Sequence, residues 1–446
     1  MSHPFVRGLA AALALSACLA WTGAASAKEN VPRPAASTAD TYKQLELFAR
    51  VLSYVENNYV EQVDQRTLMY GAIRGMLETL DPHTVFLSPE DFRDMKNGTS
   101  GEFGGLGLEV GSKDDVVTVV APLDDTPAAR AGIRAGDQIL AIDGEETRGV
   151  DLQRVIQKLR GPPGKRVLLT IMRTGFNRPQ EIPVVRENIR IVSVEGTLYE
   201  GLAHLRLKNF QERTDAQLRK ELDRLRAQNG GRPLRGVVLD LRNNPGGLQD
   251  QAVAVSDRFL PGNLTIVSTR GRNGRNSTEE QSRDRDTEPA YPMVVLVNAG
   301  SASASEIVAG ALQDNGRAVV MGSQTFGKGS VQTLIELEDG SGVKLTIARY
   351  YTPSGRSIQE RGITPDFVVG DDAPKKLDVL REKDLQRHFK NDGGQRVVEV
   401  AAKPLPALKP WPVTEKLTDA QLRVALDYLH TYGGADWKTA ARAAGK

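Results

Sequence analysis

Two stretches hold side chains suited to nucleophilic attack on a carbonyl. The first, VNAGSASASEIVAGALQD (Val297–Asp314), alternates Ser301, Ser303 and Ser305 with alanine where an apolar run gives way to a helical pattern. A serine at a strand-to-helix junction sits at the carboxyl end of a sheet, where open α/β folds place their sites. Backbone N–H groups of the first helical turn carry partial positive charge and can stabilise the oxyanion that forms when a hydroxyl attacks a carbonyl. Ala302 and Ala304 are small enough to let a ligand backbone approach. Such a nucleophile needs a base, and the second stretch, GSQTFGKGSVQTLIEL (Gly322–Leu337), offers Lys328. It is the one charged residue between Gly322 and Ile335. A lysine base must be neutral, and lowering its pKa from about 10.4 toward 7 costs about 4–5 kcal/mol, which burial and the absence of a nearby carboxylate can supply. In an extended strand Lys328 and Gln332 point to one face, so the glutamine can hydrogen-bond the amine.

Competing readings exist for both stretches. Ser303 and Glu306 have capping-box spacing, which makes Ser303 an ordinary helix N-cap. Histidine offers no better base: His3, His83, His204, His388 and His430 are scattered, and no G-x-S-x-G elbow occurs. Gly322–Lys328 fits G-x-x-x-x-G-K, but Gly329 stands where a nucleotide-binding loop needs Ser or Thr, and a strand pattern follows where that loop needs a helix.

The elements that must position these residues are legible as short β-rich runs and helices. GVVLDL (Gly236–Leu241), MVVLVN (Met293–Asn298) and AVVMG (Ala318–Gly322) read as buried strands. With a helix over about Ser303–Gln313 between the last two, they imply a parallel sheet with a right-handed crossover. From Tyr42 to about Met95 the pattern is helical, with Leu45, Phe48, Leu52 and Val55 on one face. A glycine-rich break (Asn97–Val110) opens a β-rich unit that runs to about Arg173, with short helices at PAARAG and LQRVIQKLR. The chain ends in a charged, then Pro-rich tail and a helical pattern over Thr418–Tyr432.

The 446 residues carry a net charge of +2, which gives no electrostatic case for nucleic acid. Arg7, the apolar run Gly8–Trp21 and the small residues Ala25–Ala27 form an export signal, placing the mature chain in a periplasm or cell envelope. The single cysteine, Cys18, lies inside it, so disulfides and thiol chemistry are excluded after cleavage at Ala27. LSAC (Leu15–Cys18) also resembles a lipoprotein signal; the apolar residues after Cys18 favour simple cleavage, and a membrane is a partner only if Cys18 is lipidated.

GSASASEIVAGALQD, GRAVVMGSQTFGKGSVQT, YYTPSGRSIQERGITPD, LDLRNNPGGL (Leu239–Leu248) and DPHTVFL (Asp81–Leu87), which occur along the chain in the family's order, resemble the carboxyl-terminal processing peptidases, or tail-specific proteases, over about residues 40–370. The resemblance implies Ser303 as nucleophile, Lys328 as general base and Gln332 as its orienting partner. It implies an oxyanion hole built from Ala304 and either Gly246 or Gly247. The unit from about Glu102 to Met172 resembles a PDZ domain, with Gly105, Leu106, Gly107 and Leu108 as the loop that binds a peptide's terminal carboxylate. Arg160 there pairs with a carboxylate, couples this unit to the site or is a solvated helix end.

The expected fold is a multidomain α/β chain: signal 1–27, linker and helical region 28–95, inserted β-rich PDZ domain 96–180, α/β protease core of β-α-β units 181–370 and helical tail 371–446. The expected activity is serine endopeptidase cleavage near protein C-termini, with no cofactor or metal. The partners implied are proteins or peptides with exposed C-termini, further copies of the chain joined through its terminal helices and, for some members, an activating adaptor. The alternative is a PDZ scaffold with a silent core, against which the intact Ser303, Lys328 and Gln332 speak.

Overall fold

The computed structural model describes residues 38–113, 116–123, 125–370, 380–391, 404–411 and 417–433. The expected export signal, with Cys18, lies outside them. The chain divides near Leu68 into two compact units. In the first, helix α1 (Thr38–Asn58) buries none of its residues, and Leu45 and Phe48 of its apolar face are exposed.

Helix α2 (Gln65–Glu78) runs into the second unit. The Asp81 carboxylate then accepts the N–H groups of His83 and Thr84 at 2.9 and 3.0 Å and the Thr84 hydroxyl at 2.6 Å. This side-chain-closed turn launches strand β1 (Val85–Leu87). Helix α3 (Pro89–Ser100) begins with the Ser88 hydroxyl accepting the Asp91 N–H and Pro89 in the first turn; it stops at Gly101, whose φ of 71° is cheap only for glycine.

Strand β2 (Glu102–Gly105) leads into an antiparallel sheet of β3 (Leu108–Lys113), β4 (Val116–Pro122), β5 (Gln138–Ile142), β6 (Glu145–Glu146), β7 (Arg166–Met172) and β8 (Gln180–Val185). The sheet order is β3-β4-β5-β7-β8, with β6 on β5. Helices α4 (Pro127–Arg130) and α5 (Leu152–Leu159) fall where the sequence placed short helices. Alternation along the strands sends Val117, Val119, Ile139, Val167, Leu169 and Ile171 into one core with Leu106, Ile133 and Val155. The chain leaves through β9 (Glu187–Arg190), which pairs antiparallel with β2.

The largest body follows as β10 (Val194–Tyr199), β11 (Leu202–Leu207), α6 (Thr214–Gln228), β12 (Gly236–Asp240), α7 (Gln249–Phe259), β13 (Thr265–Gly271), β14 (Thr278–Gln281), β15 (Met293–Val297), α8 (Ala304–Asp314), β16 (Val319–Gly322), β17 (Ser330–Glu336), β18 (Gly342–Tyr351), β19 (Phe367–Val368) and α9 (Ala420–Tyr432). One sheet runs β10-β11-β12-β15-β16-β19, parallel from β11 onward. Every residue of β12 and β15 is buried, because helices cover both faces. Helices α6, α7 and α8 cover one face through Leu218, Leu222, Val255, Phe259, Ile307 and Val308.

Helix α9 covers the other face through Leu422, Ala425, Leu426 and Leu429, packed with Val238, Val294, Leu296 and Phe367. This corrects the expectation that its apolar face serves contacts between copies: the face is used inside the chain. The second sheet, β1-β18-β13-β14 with β17 on β18, receives the chain directly from the first. The loop after β16 enters a strand, β17, and not a helix, so nothing there can cradle a phosphate as a nucleotide loop does.

Candidate active site

The three serines have different tasks. Ser301 and Ser305 are fully buried. The Ser301 hydroxyl donates to the Leu241 carbonyl at 2.7 Å, and the Ser305 hydroxyl to the Asn244 carbonyl at 2.9 Å. Both tie the start of α8 to the turn that follows β12. Ser303, between them, is only half-buried and has φ 55° and ψ −112°. A simple N-cap has extended backbone. A non-glycine residue at positive φ costs about 1–3 kcal/mol and persists only where its surroundings enforce it. The capping account is therefore incomplete: Ser303 does precede α8 and gives its N–H to the Glu306 carboxylate as a cap does, but its backbone is strained.

The turn Asn243–Gly247 lies against that serine. The Asn244 side chain is fully buried; its Oδ1 accepts the Gly246 N–H at 2.9 Å and its Nδ2 donates to the Leu207 carbonyl at 2.9 Å. The Asn244 carbonyl also accepts the Ala302 N–H at 3.0 Å. Gly246 and Gly247 have φ of 99° and 143°. A Cβ on Gly247 would lie 2.0 Å from the Phe210 carbonyl oxygen; one on Gly246 would lie 2.9 Å from the Ser303 Cβ and 3.0 Å from the Ala304 nitrogen. The two glycines thus differ. The Gly246 N–H is engaged by Asn244, whereas the Gly247 and Ala304 N–H groups have no hydrogen-bond partner among the described residues.

One carboxylate joins the serine to the lysine. Glu306 is fully buried. Its Oε2 accepts the Ser303 N–H at 2.7 Å and the Lys328 N–H at 3.0 Å; its Oε1 accepts the Thr325 hydroxyl at 2.5 Å and the Gly327 N–H at 2.7 Å. The backbone nitrogens of Ser303 and Lys328 are therefore no farther apart than those two bonds allow, well within the reach of a lysine side chain. Burial pushes the Glu306 carboxyl up to about 7, against the four donors that hold it down.

Lys328 is half-buried, and its amine is pulled down to about 8, first by desolvation and then by the nearby Lys344 ammonium. That depression represents about 3 kcal/mol. The expected absence of carboxylates is corrected here: Glu382, Glu306 and Asp81 all draw the amine's pKa upward, and burial with Lys344 outweighs them. The simple period-two relation of Lys328 to Gln332 is also corrected. Lys328 precedes β17, and a bulge falls between Val331 and Gln332. The Gln332 Nε2 donates to the Ser330 hydroxyl at 2.9 Å and to the Thr346 hydroxyl at 3.4 Å.

In the β-rich unit, Leu106 is buried and Gly107 has φ 76°. A Cβ on Gly107 would lie 2.3 Å from the Thr126 Cβ, so the loop requires glycine. The Leu106 and Gly107 N–H groups have no partner among the described residues. Leu108 begins β3, which ends its sheet's order and leaves one side without a strand. Arg160 lies over the Phe103 ring, 4.9 Å from its centre.

The family model for peptidase family S41 matches residues 201–369, that for the PDZ domain residues 118–173, and that for the activating protease CtpB N-terminal domain residues 9–91. A carboxy-terminal-processing protease of Bartonella bacilliformis is 46% identical over 355 residues, covering 79% of this chain and 82% of its own. The chain belongs to the carboxy-terminal-processing protease family. It is a multidomain α/β serine-type peptidase with a PDZ domain. The carboxy-terminal processing protease CtpA of Bacillus subtilis is 32% identical over 375 residues, covering 84% of this chain and 78% of its own. Among solved structures, a photosystem II D1 C-terminal processing protease shows 31% identity and a TM-score of 0.45, covering 78% of this chain and 94% of that one.

The geometry of this peptidase predicts a sharp effect at Gly246. Alanine there meets the Ala302 carbonyl oxygen at 2.7 Å as well as the Ser303 Cβ. Gly246→Ala is expected to lower kcat by about 10²-fold, because the turn must move off the serine, and to cost about 1–3 kcal/mol of stability. Peptide cleavage and thermal melting measure the two effects; wild-type kcat in a folded variant would contradict the close approach.

Proposed function

We propose that this peptidase is an exported endopeptidase in which a Ser303–Lys328 dyad cleaves proteins near C-termini captured by the PDZ unit. The observation that carries the reading is the Glu306 carboxylate, which holds the backbones of a strained serine and a lysine of lowered pKa at one point.

In this reading the neutral Lys328 amine accepts the Ser303 proton as Oγ attacks the peptide carbonyl. The oxyanion is held by the Gly247 and Ala304 N–H groups; Gly246 contributes close approach and not a donor. The lysine ammonium gives its proton to the leaving amine, and an ester remains on Ser303. A water then passes a proton to Lys328 and attacks the ester, and the ammonium returns a proton to Oγ. Gln332 orients the amine. A substrate tail adds as a strand along the open side of β3, with its carboxylate at Gly105–Leu108. Residues 1–27 export the chain to the periplasm or envelope.

The test compares wild type with Ser303→Ala on a peptide with an apolar free C-terminus and on the same peptide amidated. Wild type is expected to cleave the free peptide best, and Ser303→Ala to bind both unchanged and cleave neither. Equal cleavage by the two proteins would overturn the assignment.

The base also sets a pH dependence. The amine acts only when deprotonated, so kcat/KM rises with pH through about 8. Between pH 7 and 9 the rise is expected to be about tenfold. A flat profile over that range would remove Lys328 as the titrating base.

A further inference from the structure

The run Asp81–Leu87 has no part in the reaction just derived, yet its first residue lies one hydroxyl away from the glutamine that orients the base. Asp81 is buried, just ahead of β1, and β1 pairs with β18 through Val85↔Lys344. Besides closing its own turn, its Oδ1 accepts the Thr346 hydroxyl at 3.1 Å. Thr346 stands directly opposite Gln332 in the β17–β18 pair, and its Oγ1 accepts the Gln332 Nε2 at 3.4 Å.

Counting protons fixes the direction of this relay. A carboxylate can only accept, and a hydroxyl has one proton to give. Thr346 gives that proton to Asp81, so toward Gln332 it can only accept. The Gln332 amide must then turn its NH2 toward Thr346 and Ser330, which leaves Oε1 without a partner among the described residues. Oε1 is the end that can receive a hydrogen bond from an amine.

We propose that Asp81 is a positioning residue for the general base: acting through Thr346, it dictates which end of the Gln332 amide is offered to Lys328. The proposal rests on the dyad reading above. Alanine at position 81 removes the acceptor of the Thr346 proton, which can then turn to Gln332 and rotate the amide donor-first toward the lysine; asparagine would not, because its Oδ1 stays on the His83 and Thr84 N–H groups and still takes the Thr346 hydroxyl. The charges around Lys328 come from Lys344 on β18, Glu306 on α8, Glu382 and Asp81 itself. Asp81→Ala removes one of them, whereas Thr346→Val removes the relay and leaves all four in place.

The test measures kcat and KM for Thr346→Val, Asp81→Ala, Gln332→Ala and the Thr346→Val/Gln332→Ala double variant on one free-tailed peptide. Each single variant is expected to lose about tenfold in kcat with KM within about twofold, because the binding unit is untouched. The double variant is expected to be no slower than Gln332→Ala alone, as holds when two residues act through one group. Wild-type kcat in Thr346→Val, or losses that multiply in the double variant, would overturn the proposal. Should Asp81→Ala not fold for want of its turn, the threonine variants decide alone. Ser303→Ala and Lys328→Met run alongside: activity retained in them removes the dyad reading, whereas their inactivity with multiplying losses removes only the role of Asp81.

Discussion

Lys328→Met is expected to lower kcat by about 10⁴-fold while leaving peptide affinity within about twofold. Methionine is unbranched and only one atom shorter, so it keeps most of the volume of the side chain in its half-buried place and the loop around Gly327 and Gly329 has no reason to move. It cannot accept the Ser303 proton. Removing an ammonium that burial and Lys344 both disfavour also leaves no unpaired charge behind, so stability should hold or rise. The loss should therefore be one of rate and not of folding, which circular dichroism and thermal melting can establish. The rise in kcat/KM through about pH 8 should vanish with the amine. A folded variant within tenfold of wild type would mean that another group takes the proton.

Glu306→Gln should also be damaging, for a different reason. The carboxylate meets four donors and no acceptor. An amide can satisfy two of them with its oxygen, and its NH2 then faces the other two; of these the Thr325 hydroxyl can turn and accept, whereas the Gly327, Ser303 and Lys328 N–H groups cannot. At least one buried N–H is left facing NH2 whichever way it turns, that of Gly327 beside the base or those of Ser303 and Lys328 together, at a cost of about 1–3 kcal/mol each. If the lost pair is Ser303 N–H and Lys328 N–H, the strained backbone of the serine relaxes and the dyad separates. A decrease in kcat of about 10²-fold or more is expected. The same effect should occur in wild type below about pH 7, where Glu306 takes up a proton, so the acid side of the rate profile should steepen there beyond the slope set by Lys328. An unchanged acid limb and wild-type kcat in Glu306→Gln would show that the clamp is dispensable.

What the sequence reveals of this site is whatever has a local signature. Ser303 stands in a run of small residues at a junction, Lys328 is alone in an uncharged loop, and the two glycines follow an apolar strand. The fold class is legible for similar reasons, since buried parallel strands are continuous apolar runs. Glu306 reads as a cap because only one of its partners is near in sequence; Thr325, Gly327 and Lys328 follow it by 19, 21 and 22 residues. The charged surroundings of Lys328 converge from α8, β18, the segment before β1 and the segment around Glu382, and no spacing shows them. The choice between Gly246 and Gly247 depends on the single hydrogen bond from Gly246 to the Asn244 side chain. The apolar face of α9 is evident in sequence, but a face does not state what it covers.

The pairing of β2 with β9, from Glu102↔Arg190 to Gly105↔Glu187, has a consequence for how such a chain can change. The peptide-reading insert hangs from a two-strand stalk whose arms lie one strand spacing apart, about 4.8 Å. A tight hairpin bridges that gap with two residues. The insert is therefore a cassette: it can be spliced out and its stalk closed by a turn, or exchanged for a reader with another taste in tails, while the cutting body keeps its own core.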